Sequence, residues 1–590
     1  MTETPARGAT IAAIDAAGIA GDWIAAFEAT AGQGDITSVL ALFAEDCWWR
    51  DWLAVTWDLR TMRGPDAIKA TAGDRLAATG FRHLTLRSQI PARVDDQGII
   101  TAGLEFKTNV AAGRGIVRLR EQDGTWKAWT LFTKVDDLVD YPELRMTIDE
   151  GCDHPQPEDR GARETWYEYR ARKSDFADRQ PDVLVVGAGH AGLTTTARLE
   201  HLGLSTLLVE QTARVGDVWR QRYNNLSLHD SKWFGQMPYM PFPDSWPAFS
   251  PKEMIADWFE AYAWMLQLNV WTSTQVISAV YEEGSGRWTV ELSRDGAPRV
   301  VRPRQLVFAT GAHGGHPQPP ALPGRESFVG TVVHSSSHEG GAALEGKRVI
   351  TVGVGSSGLD VAEDAYRNGA AVTIVQRSPT CVVSTTNGMR GSGQLYGESG
   401  PPVDDADLMF NSYPVHLFLK EVMPPTVRRT AQLDAEMLAG LNRAGLRTTL
   451  GPDDSGIIGQ SWVRGGYYID KGATQLIIDG KIKIQPGEIT SFTQDGVVFS
   501  DGSSAPADVV VFATGFPNMR DAIRPIVGDD LADTLSPVWY LDDEGEIRGV
   551  YRPSGHPKLW FAGGGFVHSR WGSKLLAIQI KASEEGLSGH

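Results

Sequence analysis

Asp182–Val183–Leu184–Val185–Val186–Gly187–Ala188–Gly189–His190–Ala191–Gly192 is the stretch on which the rest of the chain turns. An apolar, β-branched run enters a G-x-G-x-x-G turn, a helical interval follows, and Thr206–Leu207–Leu208–Val209–Glu210 closes the unit with an acid. Strand, glycine turn, helix and acid-ended strand in this order make a dinucleotide-binding βαβ unit. Gly187 permits the tight turn, Gly189 lets the backbone approach a pyrophosphate at the helix N-terminus, and Gly192 allows close helix–strand packing. Glu210 would accept hydrogen bonds from an adenosine ribose. His190, Ala191 and Gln211 belong to the same candidate site.

A single glycine turn of this kind is weak evidence, but the chain repeats it. Lys347–Arg348–Val349–Ile350–Thr351–Val352–Gly353–Val354–Gly355–Ser356–Ser357–Gly358 runs on to Val372–Thr373–Ile374–Val375–Gln376–Arg377, and the third glycine lies eighteen residues before the strand end in both copies. Two matched copies are an internal repeat. They differ at the ribose position, with Glu210 in the first and Gln376 followed by Arg377 in the second. A carboxylate favours a free 2′-hydroxyl, whereas a neutral residue beside a guanidinium accommodates a 2′-phosphate. FAD is therefore assigned to the first site and NADPH to the second, the latter through Gly353, Gly355, Ser356, Ser357, Gly358 and Arg377.

With 590 residues, 42% of them apolar and 22% charged, the chain reads as several soluble globular domains. A net charge of −17 without a lysine-rich block opposes nucleic-acid or anionic-membrane partners. Three scattered cysteines, Cys47, Cys152 and Cys381, offer neither a disulfide framework nor metal spacing, so no metal is expected and a reducing compartment is. Met1–Thr10 lacks a signal pattern and no apolar run reaches the about 18 residues of a membrane span. The expectation is a cytoplasmic protein.

Residues 1–140 lack the βαβ pattern. Helical periodicity over Ala12–Ala31, shorter helices at Ser38–Phe43 and Gly64–Leu76, and strands at Phe81–Ile90, Gly98–Asn109, Gly113–Glu121 and Thr125–Lys134 suggest a separate α+β domain with an antiparallel sheet. Asp35, Leu42–Phe43–Ala44–Glu45–Asp46–Cys47 and the helix start Gly64–Pro65–Asp66–Ala67–Ile68 make it resemble the SnoaL-like cone. Asp46, Asp51, Asp58 and His83 are its candidate catalytic groups. The favoured role is structural, or that of an interface, with Trp48, Trp49, Trp52 and Trp57 packing it. Such an interface suggests a homodimer. Residues 141–180, rich in proline and charge, read as a linker with a helix over Arg163–Lys173.

Beyond Glu210, Gly216–Asp217–Val218–Trp219 and Leu228–His229 precede a proline- and aromatic-rich run from Met237 to Asp244. Here the chain resembles the class B flavoprotein monooxygenases, in which a Gly-x-x-Trp segment runs along the flavin. That resemblance places Gly216, Val218 and Trp219 beside FAD and His229 where many members carry an asparagine. The Leu228–His229 pair is similar to the plant-type branch that decarboxylates an indole keto acid. Three strand-like runs, Gln275–Glu283, Arg287–Ser293 and Pro298–Val301, return to a buried strand ending Ala309–Thr310–Gly311. The second half repeats this up to Ala513–Thr514–Gly515, as in glutathione-reductase-like flavoproteins.

Phe328, Gly330, His334 and His338 spell FxGxxxHxxxH. The family fingerprint ends in an aromatic residue, and the histidine ending with the added N-terminal domain resembles the type II flavin-containing monooxygenases. That branch implies ketone oxidation and relaxed choice between NADPH and NADH, with His334 as a linker-positioning residue. The loop before Gly465–Gly466–Tyr467–Tyr468 makes Arg464 similar to the catalytic arginine of Baeyer–Villiger enzymes. The implied reaction passes through a flavin C4a-peroxide, with a ketone as substrate and dioxygen as oxidant, and His229, His334 and Arg464 as catalytic candidates. Heteroatom oxygenation, decarboxylation of a keto acid and an uncoupled NADPH oxidase are the alternatives. The reading is thus an α/β protein with two Rossmann-like domains behind an α+β cone. It runs as 1–140 cone, 141–180 linker, 181–338 FAD part, 339–515 NADPH part with an insertion at about 381–460, and 516–590 returning to the FAD part.

Overall fold

The computed structural model describes residues 14–144, 164–311, 317, 319–388, 395–463 and 465–588. Two units emerge, Met1–Pro142 with Asp407–Pro414, and Glu143–Ala406 with Val415–His590. Arg464, Cys152 and Met1–Thr10 lie outside the described residues, as does part of the polar run Gly391–Asp407.

In the first unit, helix Ala16–Ala31 buries Ala20, Trp23, Ile24, Phe27 and Ala31, the three- and four-residue spacing of a single helical face. Asp15 caps it, its carboxylate accepting from Gly18 N–H at 3.0 Å. The buried face meets a sheet ordered Leu59–Arg63, Phe43–Trp52, Thr125–Leu138, Ala111–Gln122, Ile100–Lys107, Arg82–Leu86, with Arg93–Val94 beside Ile100–Lys107. Phe27 packs edge-on against Trp49 at 5.7 Å and Phe81 at 5.6 Å, so the aromatic-rich segment fills a core. The sheet is not wholly antiparallel, because Phe43–Trp52 pairs parallel to Thr125–Leu138.

The strand Phe43–Trp52 was not legible as one, since its sequence, FAEDCWWRDW, breaks polar–apolar alternation. Both faces of its second half are buried, so Arg50 and Asp51 lie inside. Asp51 accepts from Thr133 Oγ1 at 2.8 Å, from Val55 and Thr56 N–H at 3.0 Å each, and from Thr56 Oγ1 at 2.8 Å. Arg50 donates to the carbonyls of Asn411 at 2.5 Å and Tyr413 at 3.0 Å, and Arg118 donates to Ser412 Oγ at 2.6 Å. The segment 407–414, distant in sequence, is thereby part of this unit.

The second unit holds two parallel five-stranded sheets. The first is ordered Val270–Trp271, Thr206–Val209, Val183–Val186, Gln305–Phe308, Leu559–Phe561. The second is ordered Ile482–Pro486, Ala371–Gln376, Arg348–Val352, Val509–Phe512, Thr331–His334. The central strands are continuous apolar runs because helices cover both faces of a parallel sheet. Each half also carries a three-stranded antiparallel excursion, Thr274–Glu282 with Arg287–Arg294 and Ala297–Val301, and Ile489–Phe492 with Gly496–Phe499 and Ser504–Pro506. The sequence reading carried the first half to residue 338, but Thr331–His334 pairs with Val509–Phe512 and belongs to the second sheet. It occupies the edge that Leu559–Phe561 fills in the first.

Among the described residues no helix is long and apolar enough to cross a membrane, and no cluster of histidine, cysteine and acids could hold a metal. Cys47 and Cys381 are buried free thiols, which burial pushes up to about 11 and about 12.

Candidate active site

The two glycine turns repeat the same backbone contacts at their first and third glycines. Gly187, with φ +102°, and Gly353, with φ +118°, adopt a backbone that side chains disfavour. A Cβ on Gly187 would lie 2.8 Å from Ala309 O, and one on Gly353 would lie 2.5 Å from Ala513 O. A Cβ on Gly192 would sit 1.9 Å from Gly187 O, and one on Gly358 would sit 2.2 Å from Gly353 O. These four glycines are therefore required by packing. Gly189 is different, since an added Cβ there meets nothing within 4 Å. It opens onto space in front of helix His190–His201, whose start no side chain caps, as an anion cradle requires.

Around this first cradle, Glu210 accepts from Ala188 N–H at 2.8 Å through one oxygen and from Thr212 N–H and Oγ1 at 2.9 Å through the other. It joins the loop to the strand end, and its remaining lone pairs suit ribose hydroxyls. His190 stacks on Phe566 with centroids 4.6 Å apart, and its Nε2 lies 2.7 Å from Gly564 O. Burial holds its pKa below the ordinary value, so the neutral ring donates from Nε2 to that carbonyl. Ala191 is buried in the helix, Gln211 is exposed, and Val218 and Trp219 lie half-buried on the short helix Asp217–Arg220. Trp219 approaches Phe259 and Phe566 at 6.4 and 6.1 Å, an aromatic wall whose second and third members no sequence motif announced. Gly216, with φ +92°, faces Ala256 O, which a Cβ would approach to 2.3 Å. Thr310 Oγ1 is buried beside Gly187 without a hydrogen-bond partner, a donor left for a ligand. The residues present fit FAD.

The second cradle is more enclosed. A Cβ on Gly355 would come to 3.4 Å from Gly466 Cα, and Ser356 Oγ donates to Tyr467 O at 3.0 Å. The Gly465–Tyr467 loop thus lies over it, while the helix Ser356–Arg367 keeps an uncapped start and Ser357 stays half-buried there. Gln376 does not present itself to a ribose. It is buried, its amide donating to Arg447 O at 2.9 Å and accepting from Arg447 N–H at 2.8 Å, because the strand end must be tied to the following loop. Arg377, its side chain 76% exposed and 3.7 Å from Glu488, is the group left to meet a 2′-phosphate. With that correction the residues fit a phosphorylated nicotinamide dinucleotide.

His334 lies on the edge strand of the second sheet. Its Nδ1 accepts from Ser336 N–H at 3.1 Å, which leaves Nε2 to carry the proton and donate to Gly515 O at 3.0 Å. Burial lowers its pKa, so it is a neutral clamp between the fingerprint and the Ala513–Thr514–Gly515 turn. His338 is buried with Nε2 unpartnered, and burial lowers its pKa too. His229 lies 3.1 Å through Nε2 from Asp360 Oδ2, on the second dinucleotide helix. Tyr223 OH donates to the same oxygen at 2.8 Å. Sequence reasoning missed Asp360, although an acid two residues past the last glycine, set between the apolar Leu359 and Val361, was a visible signal. In the first unit the acid candidates do not converge. Asp51 is fully hydrogen-bonded, Asp46 pairs with Arg120 at the surface, Asp58 accepts from Leu59 N–H at 2.7 Å, and His83 is exposed.

The model of the flavin-binding monooxygenase-like family matches residues 180–529. The indole-3-pyruvate monooxygenase YUCCA1 of Oryza sativa subsp. japonica is 31% identical over 340 residues, 57% of this chain and 77% of that protein. The probable indole-3-pyruvate monooxygenase YUCCA9 of Arabidopsis thaliana is 29% identical over 397 residues, 67% of this chain and 85% of that one. Among solved structures, closed cyclohexanone monooxygenase superposes with a TM-score of 0.51 at 19% identity, covering 69% of this chain and 85% of the other. OTEMO in complex with FAD and NADP gives 0.51 at 19% identity, covering 70% and 86%. The matched span takes in both glycine turns, the histidine fingerprint, the second parallel sheet and four of the five strands of the first, and the chain belongs to the flavin-binding monooxygenase-like family of flavin-dependent monooxygenases.

Proposed function

We propose that the protein uses FAD and NADPH to insert one atom of dioxygen into a ketone, yielding an ester or lactone, the Baeyer–Villiger outcome. The observation that carries the cofactor reading is the pair of matched cradles in one unit, each built by glycines that packing demands. FAD is held by Gly187, Gly189, Gly192, the helix start at His190 and Ala191, Glu210 and Gln211, with Gly216, Val218 and Trp219 beside it. NADPH is held by Gly353, Gly355, Ser356, Ser357, Gly358 and Arg377, and NADH is accepted as well. Bound NADPH supplies a hydride and bound flavin supplies the reaction with dioxygen. The protein's own task is to orient these groups and keep water and stray protons from them.

His334 fixes the turn between the halves, and Arg464 supplies a guanidinium against negative charge developing on the carbonyl oxygen. Oxygen delivered without a proton is a nucleophile and seeks a carbonyl carbon, whereas oxygen delivered with one seeks sulfur or nitrogen. The names of the plant relatives, which refer to a 2-oxo acid, support a carbonyl substrate. Loss of carbon dioxide from a 2-oxo acid is the second reading, supported by Leu228–His229 and by the same relatives. The N-terminal unit is a SnoaL-like structural domain with a role in a cytoplasmic homodimer.

The test follows NADPH oxidation, oxygen uptake and peroxide release with a cyclic ketone, an aryl 2-oxo acid and a thioether. A ketone that accelerates NADPH oxidation, suppresses peroxide and yields a lactone carrying one labelled oxygen is the expected result. Selective sulfoxide formation would replace the ketone reading. Stoichiometric peroxide with every compound would make the protein an NADPH oxidase.

A further inference from the structure

Asp360 is 3% exposed, one turn into the second dinucleotide helix Ser356–Arg367, yet its carboxylate serves residues of the first half. Its Oδ2 receives Tyr223 OH at 2.8 Å and lies 3.1 Å from His229 Nε2. Its main-chain oxygen accepts from Asn225 Nδ2 at 3.2 Å, so the loop before His229 is fastened to the same turn of helix. Oδ1 is buried without a partner. A carboxylate can only accept, so the His229 nitrogen that faces it must be the one bearing hydrogen. Whenever the ring is neutral, the other nitrogen, Nδ1, is then the acceptor.

We propose that Asp360 is a positioning residue for the monooxygenase reaction: it holds His229 as the Nε2–H tautomer and leaves Nδ1 as a hydrogen-bond acceptor at the flavin side. This rests on the proposed flavin chemistry and on the resemblance that puts His229 where many class B flavoprotein monooxygenases carry an asparagine near the flavin. In its neutral form a ring held this way has no second N–H to give, which keeps the transferred oxygen unprotonated. An asparagine in the same place would present an amide donor instead. Because Asp360 rides on the helix whose start forms the second cradle, the orientation of His229 is tied to the nucleotide half of the molecule. Tyr223 and Asp230 from the loop, Glu363 on the same helix, Tyr468 and Asp470 of strand Tyr468–Asp470, and Lys471 just after it are the other titratable groups around the pair.

The experiment uses the flavin-loaded enzyme labelled with ¹⁵N at histidine, the His229 signals being identified by their absence in H229Q. Wild-type protein should show a protonated Nε2 and a bare Nδ1; a proton on Nδ1 instead would overturn the proposal without any variant at Asp360. In D360L, which keeps the branched outline and removes both acceptors, the tautomer preference should be lost. Peroxide released per NADPH should rise about fivefold, the scale of one lost hydrogen bond, while flavin reduction by NADPH stays within about twofold. D360N should restore both properties, since the two donors from Tyr223 and His229 turn its carbonyl oxygen toward them. In the H229Q background D360L should add nothing further, because the two residues act as one. Additive losses, or a D360L ring signal like that of wild type, would refute the positioning role. If H229Q itself leaves peroxide release unchanged while the tautomer shifts as stated, the flavin-side reading of His229 fails and the Asp360–His229 pair stands as a structural contact.

Discussion

Glycines of one motif do different work, and single methyl groups separate them. Gly192→Ala drives a Cβ to 1.9 Å from Gly187 O, so the helix must move away from the loop, at a cost of about 1–3 kcal/mol typical of overpacking. Gly189→Ala meets open space in the protein, so the methyl obstructs only what occupies the cradle. G189A should melt within about 2 °C of wild type when both are stripped of flavin, yet bind FAD about tenfold or more weakly, as a lost phosphate contact would give. G192A should lose stability with or without flavin. Melting temperatures with and without FAD, and flavin fluorescence titrations, separate the two; equal losses of apoprotein stability would deny that Gly189 lines an anion site. The distinction is invisible in G-x-G-x-x-G as letters. So is the fate of Gln376, whose type matched a ribose site while its amide is committed to Arg447.

At the scale of elements, long apolar or strictly periodic segments were legible, and elements built around buried polar groups were not. Val183–Val186 announces itself because a parallel strand covered on both faces is apolar throughout, and Arg348–Val352 because its apolar Val349, Ile350 and Val352 run straight into a glycine turn. Phe43–Trp52 hides because its inward Arg50 and Asp51 find partners far away in sequence. Those partners invite a test. Arg118, buried and pushed down to about 10 by loss of hydration, lies 3.4 Å over the Tyr413 ring and donates to Ser412. R118Q should cost about 2 kcal/mol, the value of charge-assisted bonds, and speed amide exchange in residues 407–414, leaving strand Val183–Val186 protected. Unchanged exchange in 407–414 would show that the segment is held by its own helix alone.

Glu200, in the last turn of the first dinucleotide helix, offers a pH test. It accepts from Asn269 Nδ2 at 3.0 Å, and burial, partly offset by Arg170, raises its carboxyl from 4.5 to about 7. The folded state then binds the proton more tightly than the unfolded chain, so the stability it confers is present at low pH and lost as pH rises from about 4.5 through about 7. E200Q should therefore gain little at pH 5 and up to about 3 kcal/mol at pH 8, read from urea midpoints. A gain independent of pH would mean that Glu200 titrates normally.

For the whole molecule, the repeat made the two nucleotide halves readable, and with them the C-terminal return to the first, but not how the second is completed. Each half takes its edge strand from outside its own βαβ run, Leu559–Phe561 in the first sheet and Thr331–His334 in the second. Thr331–His334 is short and carries no glycine signature, so a linear reading assigns it to the half it follows, whereas Leu559–Phe561 runs into Gly563–Gly564–Gly565 and reads as a return to the first half. The completion has a thermodynamic consequence. Three segments remote in sequence meet at the first cradle: the loop Gly187–Gly192, the turn at Ala309 and Thr310, and the C-terminal return, where His190 reaches Gly564 O at 2.7 Å. A ligand seated there binds only when all three are in place, and so stabilises the unit by mass action. FAD at a hundred times its Kd should add about 2.7 kcal/mol, a rise of about 3 °C in melting for a unit of this size. Stripping the flavin should also open residues 559–570 to amide exchange before strand Arg348–Val352 of the second sheet, and NADP⁺ alone should not close them. Protection of 559–570 that ignores FAD would place the flavin elsewhere, whereas protection restored by FAD alone would tie the C-terminal return to the first cradle.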